Sequence, residues 1–217
     1  MPTSQRYPWI LAALFAAVWI ALAIDPWYRE DWALENVLVV VAVPVLVALY
    51  RRQRLSNLSY TLIFLFLCLH EIGAHHTYAE VPYDRWFETL TGSSFNQLVG
   101  WERNNFDRVI HFTFGLLLAL PLRELTGPTL GGRKPWSWLV PLCLLIAAST
   151  LFELIEWAAA MIFGGDLGMA YLGTQGDIWD AHKDMALANA GAVLGLILTA
   201  GRIGRTTELP DEEERAG

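Results

Sequence analysis

Long apolar runs alternate with short polar connections along the chain, and ionisable residues sit at the ends of the runs or inside them. The runs cover residues 9–24, 34–50, 59–77, 106–122, 137–163 and 185–201. Several approach the roughly 20 residues a helix needs to cross a bilayer. In hydrocarbon every backbone polar group must be satisfied internally, so such runs are helical. The pattern predicts an all-α fold: a polytopic membrane helical bundle of about six transmembrane helices over residues 1–205. The fifth run is long enough to tilt or to project beyond the bilayer. The longest connection, 78–105, carries Pro82, Gly92 and Gly100 and is expected to cover the outer mouth of the bundle.

Basic charge orients the runs. With the N-terminus inside, the cytoplasmic segments hold Arg6, Arg51, Arg52, Arg54, Arg123, Arg133, Lys134, Arg202, Arg205 and Arg215. The opposite side holds only Arg29, Arg85, Arg103, Arg108 and Lys183. The positive-inside rule then places both termini in the cytoplasm. A signal peptide ending at Ala21-Leu22-Ala23 is the alternative for the first run, but a retained helix gives the better charge asymmetry. Residues 206–217, with Glu208, Asp211, Glu212, Glu213 and Glu214, are expected to form a disordered acidic cytoplasmic tail.

Composition agrees with a membrane protein. Hydrophobic residues make up 54% of the chain, its mean hydropathy is +0.36, and the net charge of −7 owes much to the tail. Cys68 and Cys143 both fall inside runs, so neither a structural disulfide nor a paired-cysteine metal motif is expected. The chain has no phosphate-binding glycine loop and no large basic surface, which argues against nucleic acid as a partner.

The chemistry lies in the histidines and carboxylates. Ionisable groups at membrane depth are costly and usually mark function. The alternation of runs brings His70, Glu71, His75, His76, Asp107, His111, Glu153, Glu156, Asp177, Asp180 and His182 to the same outer end. Residues three or four apart share a helix face. That spacing pairs Glu71 with His75, Asp107 with His111, Glu153 with Glu156, and Asp177 with Asp180, and it stacks Asp184 on Asp180. Glu153, Glu156, His111 and Asp107 are the expected catalytic groups. His70, Glu71, His75, His76, Asp177, Asp180 and His182 are the expected metal ligands. Bundle cores build metal sites from Glu and His at such spacings, and the mixture is compatible with Zn, Mn or Fe. The H-E-x-x-H zinc motif is absent, since Ala74 stands where its second histidine would be. The bland alternatives are an ion pair of Glu153 or Glu156 with Arg103, Arg108 or Lys183, helix capping by Asp107 or Asp177, and solvation of His76 and His182. Gly191 and Gly195 form a small-xxx-small pair, expected at a helix–helix seam.

Four segments carry a resemblance: His70-Glu71-Ile72-Gly73-Ala74-His75-His76-Thr77-Tyr78, Phe106-Asp107-Arg108-Val109-Ile110-His111-Phe112, Glu153-Leu154-Ile155-Glu156-Trp157 and Gly173-Thr174-Gln175-Gly176-Asp177-Ile178-Trp179-Asp180. Together they resemble the YjdF-like family of small bacterial inner-membrane proteins, whose function is unknown. The resemblance covers nearly the whole chain and implies an inner-membrane location without an activity. A more distant similarity is to the VanZ-like family, through Asp107, His111 and Phe112, through Glu153 or Glu156, and through Asp184, Asn189, Gly191 and Gly195. Arg108 replaces that family's usual Lys, Asn189 is displaced by one position, and the His70–His76 segment has no counterpart there.

The expected function is a metal-dependent enzyme acting on lipid-linked or envelope substrates from a cavity at the extracytoplasmic face, with membrane lipids as partners. The alternatives are an ion- or proton-coupled transporter and a non-catalytic envelope component held by a polar network.

Overall fold

The computed structural model describes residues 6–131 and 135–201, apart from the side chains of residues 166, 167, 170 and 171. The tail expected at 206–217 lies outside the described residues. In chain order the helices are α1 (Arg6–Ala23), α2 (Arg29–Arg52), α3 (Asn57–His76), α4 (Tyr83–Thr91), α5 (Phe95–Val99), α6 (Phe106–Thr126), α7 (Trp136–Phe163), α8 (Gly165–Leu172) and α9 (Asp180–Leu198). No strand occurs among the described residues, so the all-α bundle is what forms.

Five of these helices, α1, α2, α3, α6 and α7, are long and apolar enough to cross a membrane. The sixth expected span, α9, is long enough, but its first turns carry Asp180, Lys183 and Asp184. Outward faces are apolar: Val37, Val40 and Val41 on α2, and Leu151, Ile155 and Ile162 on α7, are each at least half exposed. That arrangement suits contact with lipid tails rather than water. Pro44, Pro121 and Pro141 lie inside α2, α6 and α7, which neighbouring helices make tolerable in membrane bundles.

Several helices start earlier than the apolar runs. α2 begins at Arg29 rather than near residue 34, and α9 at Asp180 rather than near residue 185. Hydropathy ends a run at its first charged residues. Backbone hydrogen bonding does not, and both extensions carry acidic residues in the first turn, where the helix dipole favours them.

The tightest packing joins α6 to α9, which run in the same direction. A Cβ on Gly115 would collide with the Ala188 carbonyl, one on Gly191 with the Phe112 carbonyl, and one on Gly195 with the Leu116 carbonyl. The expected Gly191/Gly195 seam therefore forms, with Gly115 as its complement. Small residues let the two backbones approach, and van der Waals contact supplies the attraction that lipid cannot. The seam also fixes register: one and two turns above Gly115 lie His111 and Asp107, beside Asp184 of α9.

The two ends of the bundle differ. At the far end Glu124 accepts hydrogen bonds from the Ser56 N–H and the Ser59 hydroxyl, both at 2.8 Å, and the Gln53 side chain donates to the Glu124 carbonyl at 2.7 Å. Arg123 lies over the Trp138 ring at 4.6 Å and donates to the Thr199 carbonyl. At the polar end the 78–105 connection is built rather than loose. Asp84 accepts from Ser94 and from the Asn96 N–H, and the Asn96 N–H is the largest influence holding its carboxyl below the usual range. The turn into this connection passes through Thr77 at φ +49°, uncommon for a β-branched residue. The Thr77 hydroxyl donates to Asp31 at 3.2 Å.

Candidate functional site

α6 carries Asp107 and, one turn later, His111. α7 brings Glu153 and Glu156, and α9 brings Asp184. His111 Nε2 lies 3.5 Å from Asp107 Oδ1 and 3.5 Å from Glu153 Oε1. One donor atom from each of Asp107, His111 and Asp184 falls within 4.8 Å of the others. His111, Glu156 and Asp184 are buried, and the side chain of Glu153 is 9% exposed. Glu153 and Glu156 reach each other. Carboxyl groups so placed need a proton or a cation between them. Glu153 Oε1 and Asp184 Oδ1 make no hydrogen bond.

A second group lies at the rim. Arg103 meets Asp180 at 2.7 Å, and Arg108 meets Asp177 at 2.6 Å and Asp180 at 3.3 Å. Lys183 reaches Asp177 at 2.5 Å. Arg103 also donates to the carbonyls of Thr174 and Gly173, tying the segment before α9 to the start of α6. The Lys183 hydrogen bond, then the Trp179 N–H, and further the Arg108 hydrogen bond hold the Asp177 carboxyl down to about 2. Asp177 and Asp180 thus stand in a different environment from the metal-donor role expected of them: their oxygens already face cations. The forked guanidinium explains this, since each arginine can serve two carboxylates at once. Arg103 and Arg108 make these contacts instead of the pairing with Glu153 or Glu156 that their charge alone made plausible.

The histidines separate in the same way. His70 is buried, its Nδ1 hydrogen-bonded to the Tyr78 hydroxyl and its Nε2 without a partner. His75 does not pair with Glu71. Its Nδ1 donates to the Leu22 carbonyl at the end of α1, at 2.8 Å. His76 donates to the Ile72 carbonyl at 3.0 Å and packs edge-on against Trp27 and Trp86. His182 is exposed beside Trp179. The partners of His75, His76 and His182 therefore lie away from the Asp107–His111–Asp184 group.

Sequence reasoning missed the contribution of α2. Asp31, Glu35 and Asn36 are all buried. Glu35 feels the charges of Asp107, Asp31 and Glu71, which places it beside the central group. Asn36 accepts from Trp19 Nε1 at 2.5 Å and donates to the Trp32 carbonyl. The signal was present: Asp31 and Glu35, at the start of the second apolar run, have the four-residue spacing of Asp107 and His111. Tyr78 and Asp184 were also left out of the expected donor set. Glu71 is fully buried, with the Asn36 side chain of α2 within its reach.

Residues 7–205 match the family described as Predicted membrane protein (DUF2238). The chain belongs to this family. A relative, Inner membrane protein YjdF of Escherichia coli (strain K12), is 39% identical over 174 residues, covering 79% of this chain and 78% of the relative. No solved structure matches. The protein is accordingly a multi-pass inner-membrane protein of the YjdF-like family. These comparisons do not extend to the VanZ-like family.

In this family member, one imidazole nitrogen and several carboxylate oxygens converge in a largely buried layer. Asp107, His111 and Asp184 are the residues that could hold a metal ion, with Glu153 against the same nitrogen. A set dominated by carboxylates favours hard or borderline divalent ions.

Proposed function

We propose that this protein is a metal-dependent enzyme working at the extracytoplasmic face of the inner membrane, by hydrolysis or transfer at a phosphate or ester of a lipid-linked or envelope substrate. The observation that carries this reading is the convergence of Asp107, His111 and Asp184 within 4.8 Å, with Glu153 Oε1 on the same His111 nitrogen. Buried carboxylates without partners are expensive, and a divalent cation such as Zn, Mn or Fe would compensate them. Bound there, the ion would activate water at neutral pH. Glu153 and Glu156 would serve as general base and acid, because both lie beside the donor set without belonging to its tightest part. Cytoplasmic termini, from the basic-residue asymmetry, put this end of the bundle outside. The transporter reading has less support. Below His111 the interior space is lined almost wholly by apolar side chains, with Ser149 as the exception along α7.

The test is elemental analysis of the detergent-purified protein and of its Asp184→Asn, His111→Ala and Asp177→Asn variants. The expected result is one bound divalent ion, lost in the first two variants and kept in the third. A folded wild-type protein that never retains Zn, Mn or Fe, even when supplied with it, overturns the reading.

A further inference from the structure

An elongated cavity of about 380 Å³ runs beneath the polar group. Its walls are Leu38 to Leu49 of α2, Phe66 of α3, Phe114 to Leu125 of α6, and Ala148 to Phe152 of α7. Its upper end is His70, Tyr78 and His111. From His111 to Leu125 it follows α6 for about 21 Å, at 1.5 Å per residue. Half of a bilayer's hydrocarbon core is only about 15 Å thick, so the cavity reaches past the membrane midplane. The Glu124–Ser56–Ser59 latch lies beside its lower end, next to Leu55 and Leu125. The volume falls within the range typical of sites for small organic ligands.

Three further observations bear on what fills it. The cavity lies inside a bundle whose spanning helices have the length and apolarity to be surrounded by lipid. Its two outermost walls, α2 and α7, do not form a packed pair, and Val45 and Ala148, which line it, are exposed to the outside. The side between α2 and α7, where α8 packs on both helices, is where the cavity comes nearest the bilayer. Finally, the cavity is not uniformly apolar. His70 and Ser149 line it, at 2% and 3% exposure, and His70 Nε2 and Ser149 Oγ have no hydrogen-bond partner. A buried polar atom left unpaired costs roughly 1–3 kcal/mol, so the cavity offers a polar position at its upper end, at His70, and a second at Ser149, one turn below Glu153 on α7.

We propose that the cavity is a lipid channel: one acyl chain of a membrane glycerophospholipid enters between α2 and α7 and lies along α6, bringing its ester and phosphate to His70, Tyr78 and His111. This deepens the proposed function and rests on it only for what then happens to the head group. Its lining along α6 from His111 to Leu125 gives it the length of one acyl chain, and a polyprenyl chain is the competing occupant that the test separates.

The test uses nanodiscs of phosphatidylethanolamine and phosphatidylglycerol containing a phosphatidylethanolamine with a photoactivatable diazirine at the end of one acyl chain. After irradiation, adducts are mapped by peptide mass spectrometry. The expected result is labelling at Leu118, Leu122 or Leu125, reduced at least about tenfold, or about 1.4 kcal/mol, in Ala148→Trp. Ala148 faces outward, so the added ring blocks the mouth without entering the packed core. Ala42→Trp, on the opposite wall, should act alike. Adducts at Leu151 and Ile155, on the bilayer face of α7, should be unchanged and serve as the reference for folded protein. Labelling confined to those outer residues, or labelling at Leu118–Leu125 indifferent to both substitutions, overturns the proposal, as does displacement by polyprenyl phosphate at equal concentration. In Asp184→Asn, channel labelling should persist while metal is lost, so failure of the metal reading and failure of the channel register separately.

Discussion

The Tyr78 hydroxyl is hydrogen-bonded to His70 Nδ1, and the Tyr78 ring lies over Gly73 with no room for a methyl group between them. The turn at Thr77 folds the chain back on the helix it has just left, so that one side chain caps the histidine and covers the glycine. Nδ1 is thereby occupied, and only Nε2 of His70 remains for anything entering the cavity.

Two substitutions separate these contacts. Tyr78→Phe keeps the ring but leaves buried Nδ1 unpaired, and should cost about 1–3 kcal/mol. In Gly73→Ala the new Cβ would lie 2.6 Å from the Tyr78 ring. The gain in helix propensity, about 1 kcal/mol, is smaller than an overpacking penalty of about 1–3 kcal/mol in a closed core, so a net loss is expected. Thermal unfolding in detergent measures both. A stabilised Gly73→Ala protein would show that Tyr78 yields easily.

The α6–α9 seam should control the site from a distance. Gly191→Ala places a Cβ against the Phe112 backbone, which cannot rotate away as a side chain can. The expected cost is at the upper end of about 1–3 kcal/mol. Because α9 must move off α6, Asp184 separates from Asp107 and His111, and metal retention should fall with every donor intact. Ala190→Leu, on the exposed side of the same turn, should leave both properties unchanged.

The rim ion pairs should behave as one unit. A double-mutant cycle on Arg103→Met and Asp180→Asn is expected to show a coupling of about 0.5–3 kcal/mol, because the pair meets at 2.7 Å and Asp180 is nearly fully buried. Arg108 remains on Asp180 in the single Arg103 variant, so that variant should lose less stability than a lone buried carboxylate would imply.

Acid should release the rim late. The Asp177 carboxyl titrates at about 2 in the folded protein, against about 3.9 in an unfolded chain. A depressed carboxylate stabilises the fold fully above the unfolded value and loses that contribution as pH falls toward the folded one. The contacts of Asp177 with Lys183 and Arg108 should therefore survive to below pH 4. Carbon-detected NMR of the Asp177 carboxyl reads this directly. A midpoint near 4 would mean that the contacts are not maintained in solution.

Much of this architecture was legible in the residues. Run length gave the spans, and Gly191 with Gly195 gave a seam, because close backbone approach demands small side chains at fixed spacing. The grouping of Asp107 with His111 followed from one helical turn. What escaped was the choice of partner across helices. Nothing in one-dimensional spacing says that Arg103 and Arg108 turn to Asp177 and Asp180, or that His75 prefers the Leu22 carbonyl to Glu71. Those choices depend on how far each helix extends beyond its apolar run. α2 shows it best: its early start carries Asp31 inward, where hydropathy had assigned a connection, one turn before buried Glu35.

The charged start of α9 has a consequence for how the molecule is made. A charged residue near the middle of an isolated helix opposes insertion by about 2.5–3.5 kcal/mol, and Asp180, Lys183 and Asp184 weigh, less steeply near the end, on α9, which is synthesised after the other described helices. Its favourable surfaces are the glycine groove of α6 and the arginines ahead of it. α9 therefore enters the membrane against a template already in place, and a chain halted before α9 would present Asp107 and His111 without the neighbour that completes them.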